Sequence, residues 1–120
     1  MKAFFFDTYA LHEVVVGSVA YARVIDGARM VTTRLNLMEL HYILLRQGAD
    51  ADAVYDALLP SCIDVDDAVV KQANALRLSL KRRNVSYVDC IGYVMAQRLG
   101  IPFLTGDKEF KNVTGVHWVA

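Results

Sequence analysis

Cysteine, proline and excess charge are what this chain lacks most plainly. It has two cysteines, Cys62 and Cys90, far apart and without a C-x-x-C pattern. That excludes a disulfide framework and a cysteine-built zinc site, and it suits a reducing compartment where both thiols are simply packed in the core. Two prolines and seven glycines in 120 residues leave no Pro-rich or Gly/Ser-rich linker, no repeat and no low-complexity tract. One domain spanning 1–120 is therefore expected, long enough to bury about two-thirds of the surface its unfolded chain exposes. Thirteen basic and thirteen acidic residues give a formal net charge of zero, so overall charge does not point to nucleic acid; any such signal must be local. No apolar run approaches the ~18 residues of a membrane span. The opening run of aromatics is cut at Asp7, far short of a signal peptide's apolar region. A cytoplasmic protein with no membrane association is the expectation.

What is abundant is apolar side chain: 55% of residues are hydrophobic. Either the core is dense or a partner covers some apolar surface. Short apolar runs alternate with helical patterns. Residues 2–6, 29–33, 62–65, 102–105 and 116–119 read as strands. Residues 8–26 read as helix with a break near Gly17-Ser18, followed by helices at 35–47, 50–59, 66–83 and 87–99 and a brief turn at 107–110. Val69, Ala73, Leu76 and Leu80 form the core stripe of one helix, and Val88, Ile91, Met95 and Leu99 that of the next. Helix 35–47 is apolar nearly all round and reads as buried. The alternation predicts an α/β fold in three layers, a mainly parallel central sheet of about five short strands flanked by helices. In such sheets ligands gather outside the carboxyl ends of the strands.

At that edge the acids become informative. Asp7 ends the first strand and Asp107 follows the strand that ends at Thr105. Asp89 opens a helix, and Glu39 lies within an apolar one. Each has an ordinary reading: Asp7 and Asp107 as helix caps, Ser86-x-x-Asp89 as a capping box, Glu39 as the partner of Arg46 or another arginine. Jointly they can converge. Four carboxylates in one pocket repel each other and need divalent cations to offset them, and an all-oxygen set favours Mg²⁺ or Mn²⁺. His12, His41 and His117 have no zinc-ligand spacing. A carboxylate-held metal suits phosphodiester hydrolysis, because it activates water and offsets charge on phosphate oxygens. Thr8 and Thr105 offer hydroxyls beside the acids. Lys108 and Lys111 adjoin Asp107 as substrate contacts, and Arg77, Lys81, Arg82, Arg83 and Arg98 supply further positive charge, with helix-dipole complementation as the plainer account of Lys81–Arg83.

The order FFFDT, NLMEL, SYVDCIGYVMAQRLGIPFLTGDKEF resembles the PIN-domain family, in particular its VapC-like toxin ribonucleases. The resemblance spans the chain and implies a magnesium-dependent ribonuclease from a type II toxin–antitoxin pair. It implies RNA as substrate, a cognate antitoxin protein as partner, and a homodimer. Asp7, Glu39, Asp89 and Asp107 match the family's four acids as catalytic and metal-binding residues, with Thr8 and Thr105 at its supporting positions. Two departures touch groove shape: a short segment between Asp7 and Glu39, and Tyr9 where a small residue is common. Two other readings compete. One is a catalytically degenerate PIN-like binding module. The other is a receiver-type phosphoacceptor domain, for which Asp64, Asp66 and Asp67 lie near a strand end but Glu39 has no use. A flap-directed nuclease of similar architecture would need a helical arch for which the chain has no room.

Overall fold

The computed structural model describes residues 2–81 and 83–120; Arg82, counted above among the basic residues, lies outside them. Strand β1 (Ala3–Phe6) leads into helices α1 (Thr8–Val15) and α2 (Val19–Ile25), broken at Gly17-Ser18 as the sequence predicts. Strand β2 (Arg29–Val31) is followed by the helix pair α3 (Arg34–Arg46) and α4 (Ala51–Leu58). Helices α5 (Asp67–Ser79) and α6 (Tyr87–Leu99) precede β3 (Phe103–Thr105), a 3-10 turn at Lys108–Phe110 and β4 (Val116–Trp118).

The sheet is wholly parallel, in the order β2-β1-β3-β4. Among the described residues it has four strands, where about five were expected. Of the segment 62–65 only Cys62 pairs, in an isolated bridge to Thr32, because the chain turns away into the Asp66 cap of α5. The predicted strand at 29–33 likewise ends at Val31.

Side-chain alternation divides the core. Phe4, Phe6 and Leu104 point to one face, where Leu11, Tyr21, Leu37, Leu40 and Leu44 cover them. Phe5 and Phe103 point to the other, stacked with ring centroids 5.9 Å apart, under Ala73, Cys90, Tyr93, Val94 and Phe110. This is the expected three-layer arrangement, with an apolar surface on each side of a parallel sheet.

Two helices are buried differently from their sequence pattern. Helix α6 lies between the sheet and α5, so its buried arc, including Cys90, Tyr93 and Val94, is wider than one stripe; Leu99, at its last position, is exposed. Helix α3 hides Asn36, Leu37, Leu40 and Leu44 but leaves Met38, Tyr42 and Leu45 exposed, so it is half-buried and carries apolar side chains on its outer face. Gly48 and Gly100 follow α3 and α6 with positive φ, the left-handed backbone that stops a helix without a Cβ penalty. No helix among the described residues is long and apolar enough to cross a membrane.

Gly92 explains how closely α6 approaches the sheet. A Cβ there would stand 2.7 Å from a ring carbon of Phe5 and 3.0 Å from one of Phe103. Gly92→Ala is expected to destabilise the protein by about 1–3 kcal/mol, the usual cost of overpacking, even though alanine is the better helix former. Urea unfolding of the two proteins side by side checks this, with a lowered midpoint expected.

Candidate active site

β1 is flanked by β2 on one side and β3 on the other, so the chain's crossovers diverge at β1 and β3. That divergence opens a crevice at their carboxyl ends. Asp7 follows β1 directly, its N–H bonded to the Leu104 carbonyl of β3 at 3.2 Å. Its side chain is 2% exposed, and both oxygens are held: Oδ1 accepts from Ala10 N at 2.7 Å, and Oδ2 accepts from the Thr105 hydroxyl. The Thr105 hydroxyl in turn accepts from Asp107 N at 3.0 Å. Asp107 continues the turn by accepting from Glu109 N at 3.0 Å, and its carbonyl accepts from the Trp118 indole at 3.1 Å. Asp89 sits in a complete capping box with Ser86. The capping readings of all three aspartates are therefore correct as local geometry.

Glu39 is held otherwise than by an arginine. Its Oε1 accepts from the Thr8 hydroxyl at 2.6 Å, and Thr8 Oγ1 accepts from Asn36 Nδ2 at 3.2 Å. Thr33 closes the chain by donating to Asn36 Oδ1 at 2.7 Å. Arg46, the expected partner, lies over the Tyr42 ring instead. Asn36 is buried and precedes Glu39 by three residues, so both lie on one helix face. That i, i+3 spacing is visible in the sequence and is the signal that could have marked Asn36 as part of the site.

Three of the acids are perturbed by burial and by their acidic neighbours. Burial pushes the Asp7 carboxyl up from 3.8 to about 7, against the hydrogen bonds from Thr105 and Ala10, with Asp89 and Asp107 pushing the same way. Burial also raises Glu39, opposed by the Thr8 hydrogen bond, with Asp89 adding to the rise. Asp89 is raised by burial and by Asp107, against its bonds to Ser86. Among the described residues no lysine or arginine offsets any of the three. Asp7, Asp89 and Asp107 line one cleft of about 270 Å³ with Thr8, Tyr9, His12 and Glu13; Glu39 adjoins it through Thr8. Tyr9, expected to bear on groove shape, does line the cleft; His12 and Glu13 join it without any signal in the sequence. The Tyr9 ring packs directly against Gly106, where a Cβ would run into it and into the Val119 carbonyl, so the ring's position requires glycine there.

The donor set suits a hard divalent cation. Glu39 Oε2, Asp89 Oδ1 and Asp107 Oδ2 accept no hydrogen bond among the described residues, and no basic side chain competes for them. As the side chains stand, no three His, Cys, Asp or Glu among the described residues form a closed ligand set. An ion would draw on these free oxygens and on Asp7. Lys108 and Lys111 are exposed and do not line the cleft; Lys111 Nζ lies 4.7 Å from the centre of the Trp118 ring. Asp64 lines a different hollow, with Arg34 and Leu35, and Asp66 caps α5, so the acids a phosphoacceptor domain would need are elsewhere.

Against known families, the PIN domain model matches residues 4–116. The chain belongs to the PIN domain family. Solved structures agree on the fold. A toxin-antitoxin complex from Klebsiella pneumoniae aligns with a TM-score of 0.77 at 19% identity, covering 96% of this chain and 98% of that one. VapC20 of Mycobacterium tuberculosis, a sarcin-ricin loop cleaving toxin, gives 0.75 at 21% identity, covering 94% and 96%. VapBC-5 of the same organism, from the VapBC family of toxin-antitoxin systems, gives 0.69 at 20%, covering 99% and 98%. No curated protein sequence matches significantly. At these identities the neighbours establish the PIN architecture, and a receiver-type fold is set aside.

In the metal-free PIN domain the raised carboxyls have a thermodynamic consequence. Folded Asp7 holds its proton up to about pH 7, whereas the unfolded chain releases it near 3.8. Between those values the folded state binds more protons, so stability falls as pH rises and levels off above about 7. In chelator, urea melts across that window should show a loss of order a few kcal/mol from this group, and Asp7→Asn should flatten most of it. A wild-type slope that Asp7→Asn leaves untouched would contradict the burial of that carboxyl.

Proposed function

We propose that this PIN domain is a Mg²⁺- or Mn²⁺-dependent endoribonuclease and the toxin of a VapBC-type pair. One observation supports the reading: Asp7, Asp89 and Asp107 line one cleft at the switch point of a parallel sheet, Glu39 adjoins it through Thr8, and among the described residues none of the four is in a salt bridge. Such an arrangement is costly in an empty protein and becomes favourable around a divalent ion. Asp7, Glu39, Asp89 and Asp107 would hold the metal. A bound ion supplies positive charge against the phosphate oxygens and lowers the pKa of water.

The protein's own contribution is orientation. Thr105 fixes Asp7 and, through its acceptor contact, the turn carrying Asp107. Asn36 and Thr8 aim Glu39. Lys108 and Lys111 lie near enough along the chain to Asp107 to meet a substrate backbone. The RNA substrate class is supported by the cleavage target named for the VapC20 neighbour, and an antitoxin partner by the toxin–antitoxin assemblies among the similar structures. Met38 and Tyr42, 56% and 62% exposed, offer apolar surface for such a partner or for a second copy in a homodimer. The same composition fits a single domain in the cytoplasm. A purely binding relative would have no reason to keep all four acids, each with its own hydrogen-bond support.

Two measurements test this. Labelled RNAs should be cut by the wild type in Mg²⁺ or Mn²⁺ and left intact in chelator, with Asp7→Asn and Asp107→Asn slower by about 100-fold or more. Equal cutting by all three proteins would assign the activity to a contaminant. Saturating Mn²⁺ should also stabilise the wild type by about 2.7 kcal/mol at ~100 times its dissociation constant, and stabilise Asp7→Asn far less.

A further inference from the structure

A second hollow, of about 460 Å³, lies where the end of α5 meets the first turn of α6. Asn74, Arg77, Lys81, Arg83 and Tyr87 line it, and no acid does. Among the described residues none of these three cations is in a salt bridge; the ion pairs present are His41–Asp52 and Arg98–Asp66. The end of a helix attracts cations without further purpose, which accounts for Lys81. Arg77 also lies in the last turn of α5, but the helix end does not account for its Nε, which is buried without a hydrogen-bond partner among the described residues. The Arg77 guanidinium instead lies 4.1 Å from the centre of the Tyr87 ring. Tyr87 is 56% exposed, a flat aromatic backed by a cation and otherwise open to solvent.

The hollow is tied to the acid cleft at two places. Tyr87 precedes Asp89 by two residues in the first turn of α6. Arg83 Nη1 donates to the Glu109 carbonyl at 2.9 Å, and Asn84 N donates to Glu109 Oε1 at 3.2 Å, on the turn that Asp107 caps. These links put the hollow and the acids at the same end of α6, so a strand of nucleic acid with its phosphodiester at the acids would pass that end of the helix.

We infer that Arg77, Lys81, Arg83 and Tyr87 form a nucleotide subsite for single-stranded RNA, with a flanking phosphate held by the cations and its base stacked on Tyr87. The inference rests on the nuclease reading for its substrate class. Unpaired cations around an aromatic platform are how single strands are gripped without sequence readout. Cations alone would serve an acidic protein segment equally; the exposed ring beside them favours a base.

The test separates binding from cutting. A fluorescently labelled single-stranded oligoribonucleotide is titrated in chelator, by anisotropy, at several salt concentrations. Tyr87 and Lys81 are both exposed, so Tyr87→Ala and Lys81→Gln leave the core untouched, which thermal melting verifies. Tyr87→Ala should weaken binding by about fivefold to about a hundredfold, with Tyr87→Phe restoring it. Lys81→Gln should weaken it and reduce the log–log salt slope by about 0.7. Unchanged affinity in Tyr87→Ala and Lys81→Gln overturns the subsite, and is also the result if the hollow serves an acidic protein instead. Failure of the nuclease reading looks different: wild type that binds this RNA through these residues yet cuts none with metal.

Discussion

The Thr105 hydroxyl reaches the Asp7 carboxylate across most of the chain's length, and that contact exists only because β3 lies in register beside β1. Everything at the carboxyl edge follows from it. The same oxygen of Thr105 receives the N–H of Asp107, so the first and last acids are built onto one hydroxyl. Parallel pairing makes this possible. Both strands end at the same edge, and the helices that follow must leave in different directions, which opens the space the acids occupy.

Burial and repulsion then oppose the hydrogen bonds. Asp7 is the extreme case, buried with two protein donors and still pushed up to about 7. Its neighbours Glu39 and Asp89 share the strain in lesser degree. The rest of the fold must supply the stability this corner gives up, and the two apolar layers, each centred on alternate phenylalanines of β1, are placed to do so.

The alternation of Phe4, Phe5 and Phe6, the helix stops at Gly48 and Gly100, and the capping box at Ser86 were all legible because each is a local signal. The three aspartates were legible twice over, as caps and as candidate ligands, and both descriptions hold as geometry: capping fixes each carboxylate in place, and the sheet then brings them together. What the sequence could not show was contingent on neighbours. Glu39 has no arginine because Arg46 lies over Tyr42 and Thr8 arrives from α1. The stripe expected on α6 was too narrow because α6 contacts two layers. Cys62–Val65 carried strand-like residues but met only one residue of β2's extension, so no ladder formed. In each case the deciding partner is remote in the chain.

Gly92 couples the interior to the edge in a further way. With no side chain there, α6 rests directly on the rings of Phe5 and Phe103, and Asp89, three residues earlier, is carried at the height this seating allows. The helix is one continuous arm from Tyr87 to Leu99, and it meets those rings where a methyl group is missing. Filling that gap would tilt the arm and move the carboxylate at its tip, so a defect deep in the phenylalanine layer would register at the surface as a misaligned acid.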